Sequence, residues 1–176
     1  MVDASCQDPE ENVTACAKIV QSANAKGIAI EAEMGRIMGS GDALPRMERS
    51  LESLMTDPDI AKVFIKRTGV QFLASSFGNI HGHYGAMRAE DVWKVTLPSG
   101  VNSAVPDIAL VLHRTHGVSD ELFLEAAKRG VTMINLNQTV KKDYTDFTSR
   151  YAGTLELTEL KAQGVAVYAF LSPSSP

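Results

Sequence analysis

The sequence predicts an α/β domain built on a parallel sheet, and three observations carry that prediction. A junction recurs in which a helical pattern ends on a basic or polar residue and is followed by glycine and an apolar strand former: "NAKGIAIEAEMG", "KRTGVQFLASSFG", "AKRGVTMINLN" and "KAQGVAVYAFL". The apolar runs after the glycines are close to continuous rather than alternating, as in strands buried on both faces. Helix start signals precede the helical patterns. Helix, glycine, strand is half of a βαβ unit. Right-handed crossovers then bring every strand's C-terminal end to one side of the sheet, where residues distant in sequence can meet.

Taken in order, Asp8, Pro9 and Glu11 fit an N-cap, a first-turn proline and a capping acid, and Val13, Cys16, Val20 and Ala23 follow at helical spacing, so a helix is predicted to end at Lys26. Gly27, Gly69, Gly130 and Gly164 are each placed to close a helix in the left-handed conformation. A second helix starts with Asp57 before Pro58 and carries an Ile60, Val63, Phe64 stripe; a third starts at Ser119 and packs through Leu122 and Ala126; a last one carries Tyr144, Phe147 and Tyr151. Strands fall near residues 28 to 34, 70 to 77, 107 to 113 and 131 to 137, with "MVDAS" as the stub of an earlier strand and "VAVYAFL" as a later one.

Composition narrows the function. The 176 residues are 44% hydrophobic and 22% charged, the profile of one ordinary globular domain. A net charge of -4 and a pI near 5.6 give no basic footprint for nucleic acid. Cys6 and Cys16 are too few and too close for a disulfide framework, and the opening "MVDASCQDPEEN" has no signal pattern, so a cytoplasmic protein is expected. Apolar runs such as "DIALVLH" fall well short of the ~20 residues of a membrane span, which excludes membrane insertion.

The predicted strand ends carry the polar chemistry. Asp3 and Ser5 finish the stub; Glu31 and Glu33 lie two apart on one side of the next strand; then come Asn79, His81 and His83, then His113 and His116, then Asn135, Asn137, Gln138 and Thr139. All four histidines fall at two of these ends. A carboxylate and two imidazoles converging on one edge suit Zn²⁺, with Glu33, His81 and His113 as ligands; the alternative is a set of polar groups hydrogen-bonded to each other at the sheet rim. His83 and His116 read as solvated loop residues. Gly78, Gly82, Gly85 and Gly117 allow backbone N–H groups to approach an anion, and a helix N-terminus at Ser119 faces the same edge, so a phosphate is a candidate ligand; tight βα turns would demand the same glycines.

At this point "MVDAS", "NAKGIAIEAEMGRI", "GNIHGHY", "LVLHRTHGV" and "MINLNQT", in that order, make the chain resemble the class II, zinc-dependent ketose-bisphosphate aldolases, from the first residues to about Gln163. The resemblance implies a (β/α)₈ barrel, which in full needs eight strands and about 250 residues. Residues 1–163 would form a partial TIM barrel of about five parallel strands lacking about three N-terminal βα units, and residues 164–176 an apolar run with a Ser/Pro tail. It implies cleavage of a fructose or tagatose bisphosphate, a phosphorylated sugar, to dihydroxyacetone phosphate and an aldehyde with Zn²⁺ as cofactor. By motif, Glu33, His81 and His113 match metal-binding positions. Gly82, Gly117, Asn135 and Asn137 match the substrate and phosphate site, with Asn135 the catalytic contact. Asp3 and Ser5 match the strand end beside the metal.

There are departures. No "HxDH" motif is present, and that is where the family carries its proton-abstracting Asp and a zinc-binding His. "LHRTHG" stands where the family reads "LHGGSG" or "LHGTSG", so Arg114 replaces glycine and His116 a phosphate-binding serine. Gly41 aligns with a mobile catalytic Glu and Gly85 with a frequent Lys. A truncated, inactive aldolase-like chain that binds at most metal or phosphate and completes its barrel as a homo-oligomer is therefore the competing expectation. An open flavodoxin-like sheet binding an anion is a third.

Overall fold

The computed structural model describes residues 1–35, 55–80, 87–115, 117–136 and 138–169, and the chain divides into two compact units, Met1–Asn135 and Leu136–Pro176. In the first unit, β1 (Glu31–Met34), β2 (Phe72–Ser75), β3 (Ala109–Leu112) and β4 (Val131–Ile134) form one parallel sheet in the order β1-β2-β3-β4. The predicted stub is present as a parallel bridge from Val2 to Ala32, in which the Val2 N–H donates to the Glu31 carbonyl at 2.7 Å and the Glu33 N–H to the Val2 carbonyl at 3.1 Å. Four strands and this stub, taken in chain order with helical connections, are the α/β partial barrel that the sequence predicts.

The helices of this unit are α1 (Pro9–Asn24), α2 (Pro58–Thr68), α3 (Ala89–Val92), α4 (Thr96–Ala104) and α5 (Asp120–Lys128). Those predicted begin where their caps are. The Asp8 carboxylate accepts from the Glu10 N–H at 2.9 Å, Asp57 from Asp59 and Ile60 at 2.9 and 3.0 Å, and the Ser119 hydroxyl from Leu122 at 3.4 Å. Each satisfies donors that the first helical turn leaves unpaired. Gly27, Gly69 and Gly130 take φ of 70°, 73° and 102°, as the junction pattern predicts.

Parity along the strands separates the two faces of the sheet. Ala32, Met34, Leu73 and Leu110 pack with Val13, Cys16 and Val20 of α1, Ala61 and Phe64 of α2, and Val101 of α4. Glu31, Glu33, Phe72, Ala74, Ala109 and Val111 have the opposite parity, with Glu33 paired to Ala74 and Ala74 to Val111. A second cluster joins Phe77 and Trp93, whose rings meet edge-on at 5.0 Å, to Leu112, Ala126 and Val131. Thr56 fastens the ends of β1 and β2: its hydroxyl donates to the Met34 carbonyl at 2.7 Å and accepts from the Ser76 N–H at 2.8 Å.

Three expectations are corrected. The buried stripe of α2 is Ala61, Phe64 and Thr68; Ile60 and Val63 are 59% and 55% exposed, because the small Ala61 allows close approach to the sheet and the Thr68 hydroxyl is satisfied by the Phe64 carbonyl at 2.8 Å. Helices α3 and α4 were not predicted. The sequence "TLPSGVNSA" has the composition of a loop, yet Gly100 lies in α4 where a Cβ would stand 3.1 Å from Pro58 of α2, so its small size serves packing. Finally, residues 165–169 of the "VAVYAFL" run are helical. The second unit contains α6 (Gln138–Tyr151) and α7 (Leu157–Ala169), and Gly164 lies inside α7 against Tyr144, whose ring carbon would be 2.7 Å from an added Cβ. That glycine is required by helix packing, and it closes no helix. Among the described residues no helix is long and apolar enough to cross a membrane.

Gly78, just past β2, has a φ of 114°, and a Cβ there would lie 2.7 Å from the Val92 carbonyl oxygen and 3.0 Å from the Trp93 Cα. Both the backbone conformation and the space exclude a side chain. Gly78→Ala is expected to lower stability by about 2 kcal/mol or more, read as a lower urea midpoint at unchanged m-value; an unchanged midpoint would show that this turn does not hold the end of β2.

Candidate functional site

The C-terminal ends of the strands gather the polar groups that alternation and register predict there. Glu31 and Glu33 share one face of β1, and the chain after β3 turns so that His113 reaches back to β1. The His113 Nε2 lies 2.6 Å from the Glu31 Oε1, with the two side chains only 13% and 12% exposed. Nε2 bears the proton that such a contact needs. The Asn135 Nδ2, at 3.2 Å from the same nitrogen, is then a second neighbour rather than a second strong hydrogen bond.

Backbone and side-chain contacts hold His113 in place. The buried Asn79 donates from Nδ2 to the His113 carbonyl at 3.1 Å while its Oδ1 accepts from the Phe77 N–H at 2.9 Å, which ties the end of β2 to the end of β3. The Asn135 N–H donates to the Leu112 carbonyl at 2.9 Å, and the Thr115 hydroxyl to the Asn135 carbonyl at 3.0 Å. Three consecutive strand ends are joined in this way.

Glu33 is 1% exposed, although a carboxylate is rarely so deeply buried without a full set of partners. The Ser5 hydroxyl, which has one proton to give, lies 3.4 Å from the Glu33 Oε1 and only 2.7 Å from Asp3, so the bond to Glu33 is the weaker alternative, and Oε2 has no hydrogen-bond partner. Burial raises its pKa to about 7, helped by the negative charge of Asp3 and opposed by His113, Arg114 and the Ser5 hydrogen bond. The backbone of the same residue is fixed by the Asn12 side-chain amide, which donates to the Glu33 carbonyl at 3.3 Å.

Arg114 follows His113 with a φ of 62°, the only positive value at a non-glycine among the described residues. Its side chain is half-buried, with Nε inaccessible and unpartnered. Burial lowers its pKa, and the carboxylates of Glu33 and Asp3 act in the opposite direction. The guanidinium therefore shares the electrostatic neighbourhood of the buried carboxylate.

Of the residues singled out from the sequence, Glu33, His113 and Asn135 lie at this edge, and Gly117 lies in the turn after it with a φ of 72° and open space beside its Cα. His81, Gly82, Asn137, His83, Gly85, His116 and Gly41 lie outside the described residues. The sequence signal missed two roles. Glu31 was noted beside Glu33, but its pairing with His113 depends on how the sheet curves. Asn79 was noted at a strand end, but its bond to the neighbouring strand's carbonyl is not encoded in spacing.

The donor chemistry fits a divalent cation in part. Glu33 presents a buried, unpartnered oxygen, and His113 donates its Nε2 proton to a carboxylate, the usual arrangement of a metal-binding imidazole whose other nitrogen is the ligand. Among the described residues, no group of three His, Cys, Asp or Glu side chains is arranged to hold a metal ion.

Residues 1–170 match the sequence profile of the family described as fructose-bisphosphate aldolase class-II. The chain is 36% identical over 161 residues to a Coccidioides immitis protein assigned as a fructose-bisphosphate aldolase, covering 91% of this chain and 52% of that protein. It is 31% identical over 180 residues to the fructose-bisphosphate aldolase of Streptococcus pyogenes, covering 98% of this chain and 57% of the relative. It thus spans about half the length of the curated relatives it matches. Among solved structures, the YdjI aldolase of Escherichia coli K12 superposes with a TM-score of 0.75 at 28% identity, covering 96% of this chain and 56% of that one.

The Glu33 shift has a measurable sign. Between its ordinary value of 4.5 and about 7, the folded chain keeps a proton that the unfolded chain releases, so stability falls as pH rises through that window and then levels off. In metal-free protein, Glu33→Gln should match wild type near pH 4.5 and exceed it near pH 8 by at most about 3 kcal/mol in chemical denaturation. A variant less stable than wild type at both pH values would show that the buried carboxylate is fully compensated.

Proposed function

The chain belongs to the class-II fructose-bisphosphate aldolase family, and from that premise we propose that it takes part in zinc-assisted, reversible aldol cleavage of a ketose bisphosphate to dihydroxyacetone phosphate and an aldehyde. The observation that carries this proposal is the Glu31–His113 contact of 2.6 Å beside the unpartnered Oε2 of Glu33. Together they present a tautomer-locked imidazole from the end of β3 and a buried carboxylate from β1, two strands away in the sheet.

Zn²⁺ would be held by Glu33, His81 and His113, where it would supply Lewis-acid polarisation of the substrate carbonyl. Glu31 holds the proton on Nε2 of His113 and so leaves the lone pair of Nδ1 for the metal. Asn135, whose amide is exposed beside that ring, orients substrate hydroxyls. Backbone N–H groups at Gly82 and Gly117, with Asn137, receive a phosphate; at Gly117 the open space beside Cα leaves room for close approach. In the metal-free chain the Glu33 carboxyl, with a pKa of about 7, holds a proton below neutral pH that Zn²⁺ would displace. A phosphorylated sugar is accordingly the proposed partner. The free thiols of Cys6 and Cys16 suit a reducing cytoplasm.

One observation favours a second function. Arg114 places a positive charge in the neighbourhood of Glu33, which suits a chain that binds an anion, or a metal weakly, without turnover.

Zinc content after dialysis, together with release of dihydroxyacetone phosphate followed in a coupled assay, tests the proposal. Wild type is expected to retain zinc, His113→Ala and His81→Ala to lose it, and Glu31→Gln to bind it about 10- to 100-fold more weakly as the negative charge on the His113 hydrogen-bond acceptor is removed. Asn135→Ala should lower turnover with little change in zinc. Bound zinc without turnover would favour the second function, and absence of both would remove the first.

A further inference from the structure

The sheet edge described above contains an element that catalysis as proposed does not use. Arg114 adopts a backbone conformation, φ 62°, that a side chain with a Cβ rarely occupies. A position of this kind persists only where surrounding structure over-determines it. Its neighbours supply that determination. The preceding residue, His113, is clamped by Glu31 and by the Asn79 amide on its carbonyl, and the following one, Thr115, is buried and bonded to the Asn135 carbonyl. With both sides fixed, the Arg114 side chain is directed into partly buried space, where its Nε has no partner.

Unpartnered atoms of opposite charge therefore occur in the same region: Glu33 Oε2 and Arg114 Nε are both inaccessible and unbonded. Each residue's charge bears on the other, and Asp3 bears on both. No ion pair between Arg114 and a carboxylate falls within 4.0 Å among the described residues, so the guanidinium stands near the carboxylates without closing on them. That arrangement supplies positive charge to carboxylates with which the guanidinium is not paired.

We propose that Arg114 is the resident cation beside the Glu33 and Asp3 carboxylates, and that a divalent metal enters only in competition with its guanidinium. The inference rests on the metal site proposed above for its second half only. A positive charge held near a carboxylate raises the energy of a second cation there, and a low-dielectric surrounding increases the effect. Metal affinity in this chain is then set by Arg114 as much as by the ligands, and a bound anion such as a substrate phosphate, by attracting the guanidinium away, would favour metal entry.

The experiment has two arms on the full chain. In metal-free protein at about pH 8, chemical denaturation of wild type, Arg114→Gly, Glu33→Gln and the double variant forms a double-mutant cycle in which backbone relief at position 114 cancels. The expected result is coupling of at least fivefold in the unfolding constant, because removing the carboxylate helps more once its counter-charge is gone. An additive cycle would overturn the proposal whatever the metal does. Titration calorimetry with Co²⁺ and Zn²⁺ forms the second arm. Arg114→Gly should bind at least tenfold more tightly than wild type, and Arg114→Lys, which keeps the charge, should remain close to wild type. Equal or weaker binding by Arg114→Gly would overturn the competition. Coupling with no metal taken up by any variant would overturn both the competition and the metal site proposed above, leaving Arg114 as a counter-charge alone. If Arg114→Gly folds poorly, Arg114→Asn, which tolerates the left-handed conformation, replaces it in both arms.

Discussion

A carboxylate removed from water must be neutralised, hydrogen-bonded or matched by positive charge, and the end of β1 is organised around that constraint. Glu33 is almost wholly inaccessible, with one oxygen in a long hydrogen bond to Ser5 and the other in none. A structural carboxylate would normally be paired more fully, since an orphaned buried acceptor costs about 1–3 kcal/mol and more when charged. The fold tolerates this deficit because the residue's backbone is anchored independently. Its N–H donates to the Val2 carbonyl and its own carbonyl accepts from Asn12. The side chain is thus fixed where it is poorly solvated, the arrangement that the metal-binding role proposed for Glu33 requires.

Short strands and specific staples produce that fixed edge. Each strand has four residues, so few ladder hydrogen bonds hold the register, and the strand ends depend on side chains for their position. Thr56 links Met34 to Ser76, Asn79 links the turn after β2 to the His113 carbonyl, and Thr115 links the turn after β3 to Asn135. These polar residues are buried and satisfied, and each of the three spans a pair of neighbouring connections. Alternation does the rest: one parity packs apolar residues against α1, α2 and α4, and the other sends Glu31 and Glu33 to the face where His113 arrives. Ala74, opposite Glu33 and Val111 in register, adds only a methyl group between β1 and β3.

What could be read from the sequence follows from the range of the forces involved. Helix starts at Asp8, Asp57 and Ser119 were legible because a cap is satisfied by donors two or three residues away. Strand positions were legible because the runs after the glycines are apolar, and in β1, β2 and β3 three of the four residues are buried, although β4 exposes Thr132 and Met133. The ligand candidates Glu33 and His113 were found because parallel topology sends all strand ends one way. The partnership of His113 with Glu31, two strands distant in the sheet, was not legible, since it depends on curvature that no local pattern records. Gly164 was misread for a related reason. A glycine that allows two helices to touch looks in sequence like one that closes a helix, and only the Tyr144 ring 2.7 Å from its would-be Cβ distinguishes them.

Arg114 combines both kinds of information. Its departure from the glycine expected at that place is visible in the letters "LHRTHG", but its consequence is visible only in space. Had the chain relaxed to accommodate the side chain, φ would be negative and the turn after β3 would be reshaped. Instead φ is 62°, and the hydrogen bonds of His113 and Thr115 on either side are intact. The scaffold has kept a glycine-like turn and accepted the strain of a Cβ within it. A substitution that leaves the turn unchanged can alter this edge only through what the side chain brings, and what Arg114 brings is a positive charge and an unpartnered donor. The chemistry of this edge therefore changes through charge balance, while the framework that positions Glu33 and His113 stays the same.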